Sequence, residues 1–401
     1  MSWPLIQIGI YTDKVRTWNP AAGTENVFQY VDLSSVDKSR KIIELANVAE
    51  IFTAEAPSRA RQLVMTGDVL VATVRPSLNG VAVVPAELNG ATASTGYCVL
   101  RADEKNLHGR YLFHWVQTGS FVEDMMSKAT GANYPAVSDK IIKESKIPLP
   151  PLAEQKRIAA ILDKADAIRR QRQNAIQLAD DFLQAAFLDM FGDPVTNPKE
   201  WPVKTLGAIT KDWRGGASIT PDDFTDSGFP VLHKGAIQKQ GKIVVDGSKK
   251  TFVSSDFSYR KKSSLVKNNC IAITLRDLVP SGPSIGLMAD LSDYDADIYL
   301  LSQGAYGFAV EPEIAHAAYL VALSNHDGFR QVFRKISVGS TQIHIRSSDV
   351  KSLSLPVPPV KLQSEFGNLR SAVMGYQKKA ASVGEGDLLL SLAQKAFSGQ
   401  M

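Results

Sequence analysis

The side chains of this sequence that could do chemistry are mostly basic, and they occur at matching places in its two halves. The first half carries Arg59, Arg61, Arg75 and Lys128. The second half carries Arg260, Lys261, Lys262, Lys267, Arg276, Arg330, Arg334 and Lys335. Guanidinium and ammonium groups clustered in this way could neutralise nucleic-acid phosphates. For Arg75 and Arg276, which follow apolar runs, burial against a carboxylate is a competing interpretation.

Two glycine-containing loops add groups that could recognise bases. They occupy segments 128–135 and 338–346. Their larger polar and aromatic members are Asn133, Tyr134, Gln342, His344 and Arg346. Glycine lets a backbone approach a phosphate or groove, and Asn, Gln and Arg can form paired hydrogen bonds with base edges. A polar turn before a strand is the alternative interpretation for each residue taken singly.

The sequence lacks the motifs of the enzymes that act on DNA. Asn19-Pro20-Ala21-Ala22 and Asn197-Pro198-Lys199-Glu200 have no aromatic residue on which an amino-methyltransferase could stack a flipped base. A phosphate-binding loop ending in Gly-Lys-Ser/Thr does not occur. Asp103-Glu104-Lys105 has the local form of a nuclease site, but such triplets are common in solvated loops. Because the six histidines are scattered and Cys98 and Cys270 lack zinc-site spacing, we predict no metal and no cofactor.

The composition is that of an ordinary globular protein. At 401 residues and 44% hydrophobic content, the chain should form two or three domains. Its formal charge is only +4, so attraction to phosphate would have to come from local clusters. With no signal peptide at its start and no apolar run long enough to cross a bilayer, we expect a cytoplasmic protein without membrane contact.

An internal repeat organises the chain. Trp3-Pro4 and Gly9 recur 198 residues later as Trp201-Pro202 and Gly207. Thr73-Val74-Arg75 recurs 201 residues later as Thr274-Leu275-Arg276. From Gly96 onward the offset is 208, as in Tyr111-Leu112 and Tyr319-Leu320. The matches keep the same order through both halves, which indicates a duplicated domain with loop insertions.

Each copy ends in a proline connector followed by a helix. The connectors are Ile147–Pro151 and Leu355–Pro359, and the helices are predicted to run from 152 to 191 and from 360 onward. Predicted seam positions, which would face a partner helix and are apolar except for Arg172, alternate by three and four along Ile158, Ile161, Ala165, Ile168, Arg172, Ala175, Ala179, Phe182 and Ala186. They do the same along Leu362, Phe366, Leu369, Val373, Tyr376, Ala380 and Val383. This coiled-coil period predicts that the helices pack lengthwise; a helix lying on a globular core is the alternative. Gly384-Glu385-Gly386 predicts a bend before a short distal helix containing Leu388, Leu392 and Phe397.

The segment Ile147-Pro-Leu-Pro-Pro-Leu-Ala-Glu-Gln-Lys-Arg-Ile158 and the helix end Phe191-Gly-Asp-Pro194 resemble the central region of the specificity subunit of type I restriction-modification enzymes. Trp201-Pro202 resembles the opening of that family's second recognition domain, and Ala396-Phe397-Ser398-Gly399 its distal end. The second connector departs from the pattern, because Leu362 stands where the family commonly has Glu, while Gln363 is retained. The two helix starts are therefore not expected to be strictly equivalent.

The resemblance implies a mixed α/β (α+β) fold with a pseudo-twofold internal repeat. Two similar target-recognition domains, 1–151 and 192–359, would be joined by long antiparallel coiled-coil helices in 152–191 and 360–401. It also implies a non-catalytic chain that reads an asymmetric bipartite site in double-stranded DNA. The partners implied are two methyltransferase subunits that modify adenine and restriction subunits that translocate and cut DNA, docked on the helical regions.

Two other functions compete with this interpretation. A single-chain nuclease or methyltransferase would need an additional catalytic domain, for which too few residues are left between the repeats and their helices. A protein-interaction scaffold without DNA selectivity would suit the coiled coil but would leave the matched basic residues unexplained.

Overall fold

The computed structural model describes residues 3–22, 27–131, 133–244, 251–382 and 385–400. The chain divides into two compact units, one formed by 1–174 with 381–401 and the other by 175–380. Each unit holds one copy of the repeat together with helical segments from two places in the chain. The domain boundaries expected from the sequence stay a prediction, since the long helix 152–191 contributes to both units.

The helices are α1 Gly109–Trp115, α2 Gly119–Lys128, α3 Asp139–Glu144, α4 Leu152–Phe191, α5 Ser255–Arg260, α6 Ala317–Asn325, α7 Asp327–Lys335, α8 Ser347–Lys351, α9 Val360–Ser382 and α10 Glu385–Phe397. Helix α10 is the predicted distal helix; Val383 and Gly384, where a seam residue and the bend were expected, lie outside the described residues. None of the described helices combines the length and the apolar character needed to span a membrane.

The strands of the first unit are β1 Leu5–Gln7, β2 Thr12–Asp13, β3 Val27–Val31, β4 Val36–Asp37, β5 Ile42–Ile43, β6 Ala49–Phe52, β7 Ala60–Leu63, β8 Val69–Ala72, β9 Val81–Val83, β10 Thr92–Ser94, β11 Tyr97–Ala102 and β12 Lys146–Pro148. They form sheets in the orders β2-β11-β8-β9 and β6-β3-β10-β7, with the ribbons β1-β12 and β4-β5. The strand β8 is apolar and fully buried, as its unbroken run of branched residues predicts.

The strands of the second unit are β13 Val203–Thr205, β14 Thr210–Gly215, β15 Phe224–Thr225, β16 Phe229–Leu232, β17 Phe252–Val253, β18 Leu265–Lys267, β19 Ile271–Thr274, β20 Arg276–Asp277, β21 Met288–Asp290, β22 Ile298–Leu301, β23 Ala305–Val310, β24 Ile343–His344 and β25 Ser354–Pro356. They form sheets in the orders β14-β23-β19-β21 and β15-β17-β16-β22-β18, with the ribbons β13-β25 and β20-β24. The mixed fold and the repeat expected from the sequence are both confirmed.

Strand register fixes how the two copies correspond. Leu5 pairs with Pro148 and Val203 pairs with Pro356, which confirms the offsets of 198 and 208. In the central sheets, however, Tyr97 pairs with Ala72, whereas Ala305, 208 residues after Tyr97, pairs with Thr274.

The central offset is therefore 202, and the sequence alignment of Arg75 with Arg276 is wrong by one residue. By register Arg276 corresponds to Val74, and Arg75 corresponds to Asp277. The sequence alignment was wrong because it matched identical Thr and Arg residues rather than paired strand positions. A shift of one residue matters, since it exchanges the two faces of a strand.

A buried glutamine fixes the start of each long helix. The Gln155 side-chain oxygen accepts a hydrogen bond from the His108 amide at 2.9 Å, and its Nε2 donates to the carbonyls of Asn106 and Pro150, both at 2.9 Å. Gln363 makes the same three bonds, accepting from His316 at 2.9 Å and donating to Ile314 at 3.1 Å and Pro358 at 2.7 Å. We call this arrangement the glutamine clamp.

The departure at Leu362 leaves the clamp intact, while the two helix starts differ at this neighbouring position. At the corresponding position of the first copy, Glu154 forms hydrogen bonds of 2.7 and 2.8 Å with Arg157, one turn along the same helix. Such a surface pair contributes little to stability, so it can be lost. Leu362 packs instead against the apolar core of its unit.

The seams predicted for the long helices are partly wrong. On α4 the predicted members Ile168 and Phe182 are 47% and 51% exposed, and Tyr376 of α9 is also exposed. The buried positions near the helix starts are Gln155, Ile158, Ala159, Leu162 and Asp166 on α4 and Gln363, Phe366, Gly367 and Arg370 on α9. These positions face a globular core rather than a single partner helix, which explains why their spacing departs from the coiled-coil alternation.

Lengthwise antiparallel pairing is nevertheless present inside the second unit. The Gln377 amide donates to the Ile176 carbonyl at 3.2 Å and to the Asp180 carboxylate at 2.9 Å. At the other end of the pair, the rings of Phe187 and Phe366 are 5.8 Å apart. Later residues of α4 thus meet earlier residues of α9.

Each unit also packs an aromatic residue from near the end of a helix against a corresponding tyrosine. The Phe397 ring of α10 lies 5.0 Å from that of Tyr111, and the Phe187 ring of α4 lies 5.7 Å from that of Tyr319. Both tyrosine hydroxyls donate to the connectors, Tyr111 to Pro148 at 2.8 Å and Tyr319 to Pro356 at 2.7 Å. Burial raises the pKa of both phenols.

Replacing Gln155 by Ala is expected to lower the free energy of unfolding of the first unit by about 2–4 kcal/mol, because three buried backbone groups lose their partner. Gln363→Ala should do the same in the second unit. Urea unfolding, with hydrogen exchange to assign the loss to a unit, measures the effect.

The matched controls are Gln173→Ala and Gln177→Ala, which remove exposed glutamines of α4 from the first and second unit respectively. These controls should be nearly neutral. Equal unfolding of a clamp variant and its control would contradict the role assigned to the clamp.

Candidate nucleic-acid interface

In the first domain, the strand-end arginine and the glycine loop come together. Val74 bridges to Ala136, and the Arg75 amide donates to the Pro135 carbonyl at 2.7 Å. The Arg75 guanidinium lies 4.5 Å from the centroid of the Tyr134 ring, a cation–π contact. Arg75, Tyr134 and the neighbouring Asn133 are exposed, so burial of Arg75 against a carboxylate is wrong.

The second domain builds the same junction with different residues. Arg276 pairs with His344 in the ribbon β20-β24, and backbone hydrogen bonds of 2.9 Å between Val338 and His344 close the glycine loop. His344 and Gln342 are exposed, while Arg276 is half-buried. Arg346, also exposed, directly precedes α8.

One glycine in each loop makes the turn possible. Gly131 has φ +103° and Gly339 has φ +117°. A β-carbon added at these positions would lie 2.9 Å from the Tyr134 carbonyl oxygen and 2.0 Å from that of Gln342. Both loops therefore depend on a residue without a side chain.

Basic residues precede both loops at the ends of helices. Lys128 is the last residue of α2, and its ammonium pairs with Asp124 at 2.7 Å in an exposed i, i+4 contact. Arg334 and Lys335 end α7 and are exposed. Positive charge at a helix C-terminus also suits the helix dipole, so these side chains have a local stabilising role as well.

The remaining predicted residues lie on other elements. Arg59, exposed, and Arg61, half-buried, lie beside and on β7. Arg260 ends α5; Lys261 and Lys262 follow it, and the Arg260 guanidinium lies 5.6 Å from the Phe257 ring centroid. These residues form a second basic group in each domain.

The structure contradicts the prediction that Arg330 belongs to the basic residues facing nucleic acid. It is only 5% exposed and donates to the carbonyls of Gly282 at 3.4 Å, Pro283 at 2.6 Å and Ile285 at 3.2 Å. Burial lowers the pKa of its guanidinium. The helix α7 turns this residue toward the loop that follows β20, so it cannot face a nucleic acid directly.

Sequence reasoning missed two exposed apolar residues beside the junction, Leu278 and Val279. They follow Asp277 in a segment rich in Pro, Ser and Gly. Adjacent aliphatic residues between turn-forming residues were the available signal.

Cys98 is buried, Cys270 is half-buried and both are free. Among the described residues, no group of three or more His, Cys, Asp or Glu side chains is arranged to hold a metal ion.

The family model for the type I restriction modification DNA specificity domain matches residues 67–178 and 198–368, well over half of the chain. The chain belongs to this family. The two matched segments fall in the two copies of the repeat, and the resemblance drawn from the connector and the helix ends is confirmed.

Individual relatives have low sequence identity to this chain, but their alignments with it are long. The chain is 24% identical over 279 residues to the type I restriction enzyme MjaVIII specificity subunit of Methanocaldococcus jannaschii, covering 66% of this chain and 64% of that one. It is 22% identical over 325 residues to the StySPI specificity subunit of Salmonella potsdam, covering 76% and 68%. The match thus spans slightly less than two thirds of the first of these relatives.

Solved structures share the fold across the whole chain. One is the type I restriction-modification system S subunit from M. genitalium, with a TM-score of 0.57 at 14% identity, covering 99% of this chain and 96% of that one. Another was reported as "Structural basis underlying complex assembly and conformational transition of the type I R-M system", with a TM-score of 0.55 at 23% identity, covering 100% and 98%.

Replacing Gly339 by Ala is expected to destabilise the loop 338–344 by about 1–3 kcal/mol, because the added carbon would clash with the Gln342 carbonyl in a backbone conformation that alanine avoids. Hydrogen exchange of the His344 amide, which is bonded to Val338, should accelerate.

Gly235→Ala is the matched control in the same domain, since a β-carbon there meets no atom within 4 Å. Unchanged protection of His344 in Gly339→Ala would show that the loop does not depend on this glycine.

Proposed function

We propose that this chain is the DNA-specificity subunit of a type I restriction-modification complex and that each recognition domain reads one half of an asymmetric bipartite site. One observation carries the proposal. In both domains an exposed glycine loop with hydrogen-bonding side chains is anchored on the end of a central strand. A duplicated framework that presents different side chains in its two copies suits the reading of two different half-sites.

The side chains of each loop match the chemistry of base edges. Asn133 and Gln342 can donate and accept at adenine, and Arg346 can donate twice to guanine. Arg75 and Tyr134 extend the loop surface of the first domain. His344 and Arg276 extend that of the second domain. Each of the four base pairs presents a different pattern of donors and acceptors in the major groove, whereas phosphate contacts carry no sequence information.

The basic residues outside the loop tips would hold the backbone. Lys128, Arg334 and Lys335 lie where the helices α2 and α7 lead into the loops. The second basic groups, Arg59 with Arg61 and Arg260 to Lys262, add further positive charge to each domain. Contacts of this kind orient a duplex and make binding sensitive to salt.

Chemistry on DNA would belong to partner subunits. We assign modification to two methyltransferase subunits and cleavage to restriction subunits, with this chain acting as a non-catalytic guide in the cytoplasm. The relatives that are named specificity subunits, and the solved chain described as part of complex assembly in a type I system, support this assignment.

The experiment that tests the proposal is methylome sequencing of a host that expresses this chain with its methyltransferase partner. Methyladenine should appear in a single bipartite motif only when this chain is present. A host with the methyltransferase alone is the control. An active complex that gives no new motif would contradict DNA specificity and favour a protein-interaction scaffold.

Single substitutions should separate base contacts from phosphate contacts. Lys335→Ala is expected to weaken binding to all sequences and to reduce the slope of log affinity against log salt by about 1. Arg346→Ala should instead weaken discrimination at one base pair by about 1–3 kcal/mol.

Titration of labelled duplexes at several salt concentrations measures both effects, with the exposed Lys361→Ala on α9 as the control. An unchanged salt slope in Lys335→Ala together with unchanged discrimination in Arg346→Ala would refute these roles.

A further inference from the structure

The loop that follows β20 exposes an apolar tip. Leu278 is 58% and Val279 is 44% exposed, and the two are adjacent. Single exposed aliphatic residues need no explanation. This pair differs because the surrounding loop is held in shape by two buried charged residues.

The first of these residues is Asp277, at the base of the loop. Its carboxylate accepts hydrogen bonds from the Ser284 amide at 2.8 Å, the Ser284 hydroxyl at 2.6 Å and the Val279 amide at 3.2 Å. Burial raises the pKa of this carboxyl, but these bonds outweigh burial, and its pKa lies below the ordinary value. The charged form therefore ties the two ends of the loop together.

The second is Arg330, the buried arginine of α7. It donates to three carbonyls of the loop, those of Gly282, Pro283 and Ile285. Removing a guanidinium from water is unfavourable unless its hydrogen bonds are satisfied. Here it satisfies backbone acceptors of the loop, which makes the shape of the loop depend on it.

The apolar tip and the polar residues proposed to contact bases in this domain are both connected to the ribbon β20-β24. Asp277 pairs with Ile343 and Arg276 with His344 in the ribbon β20-β24. Gln342 directly precedes β24, and Arg346 follows it by two residues. In the first domain the turn after Arg75 also exposes an aliphatic residue, Leu78, at 46%.

We propose that Leu278 and Val279 form an apolar recognition finger that contacts the methyl group of a thymine in the major groove. The inference rests on the proposed function and adds a specificity determinant to it. The thymine methyl is the apolar group that base pairs present in the major groove. The hydrogen-bonding groups of the same groove would be contacted by Gln342, His344 and Arg346. Asp277 and Arg330 are positioning residues, since they hold the finger without touching DNA.

The test compares binding of the complex to its cognate duplex and to duplexes in which each thymine of the half-site is replaced in turn by uracil. Loss of the methyl group should weaken binding of the unsubstituted protein about fourfold at one position, as expected for one buried methyl-sized contact. The double variant Leu278→Ser with Val279→Ser should weaken cognate binding and lose sensitivity to uracil at that position. Val203→Ser, an exposed aliphatic position on β13 of the same unit, is the control and should keep it.

Arg330→Lys tests the positioning role, because lysine keeps the charge but lacks the planar set of donors. It should reduce uracil sensitivity while discrimination in the other half-site stays unchanged. The exposed double variant keeps the test decisive if this buried variant folds poorly.

Two results would overturn the finger. In one, the double variant discriminates every position as the unsubstituted protein does. In the other, the unsubstituted protein prefers its bipartite motif but ignores every uracil in this half-site. Absence of any sequence preference in the unsubstituted complex would refute the proposed function itself, and the finger with it.

Discussion

The buried side-chain amide at the start of each long helix is the interaction on which the rest of the structure depends. Gln155 and Gln363 each join three backbone groups, two from the segment before α1 or α6 and one from the proline connector. An amide buried without these partners would be strongly unfavourable, so the connector, the helix start and the domain are fixed together. The tyrosine hydroxyls on Pro148 and Pro356 reinforce the same junctions.

The framework that the clamps support is the same in both copies, while the exposed loops are not. The sheets β2-β11-β8-β9 and β14-β23-β19-β21 correspond strand for strand. The segment between β8 and β9 comprises residues 73–80, whereas the corresponding segment between β19 and β21 comprises the longer stretch 275–287, which is held by Asp277 and Arg330. Rigid elements with variable loops allow two binding surfaces to differ without altering the fold.

The sequence predicted the repeat, the connectors and the long helices, because these depend on local signals such as proline, glycine and apolar runs. It did not predict that each glycine loop meets a strand end, since that contact joins residues about 60 positions apart in the chain. It did not predict the one-residue shift that aligns Arg276 with Val74, since register is set by pairing across the sheet. It placed Arg330 on the surface, because its partners are carbonyls about 45 residues earlier in the chain. The exposure of Ile168 and Phe182 was missed because the same period fits several faces of a helix.

We propose that two equivalent domains in one chain read two different half-sites independently. Exchange of residues 1–151 for the matching segment of a family member with a known motif, followed by methylome sequencing with active methyltransferase partners, tests it most directly. The account predicts that one half of the motif changes to that of the donor and that the other half is kept. A motif in which both halves change, or in which neither changes, would contradict it.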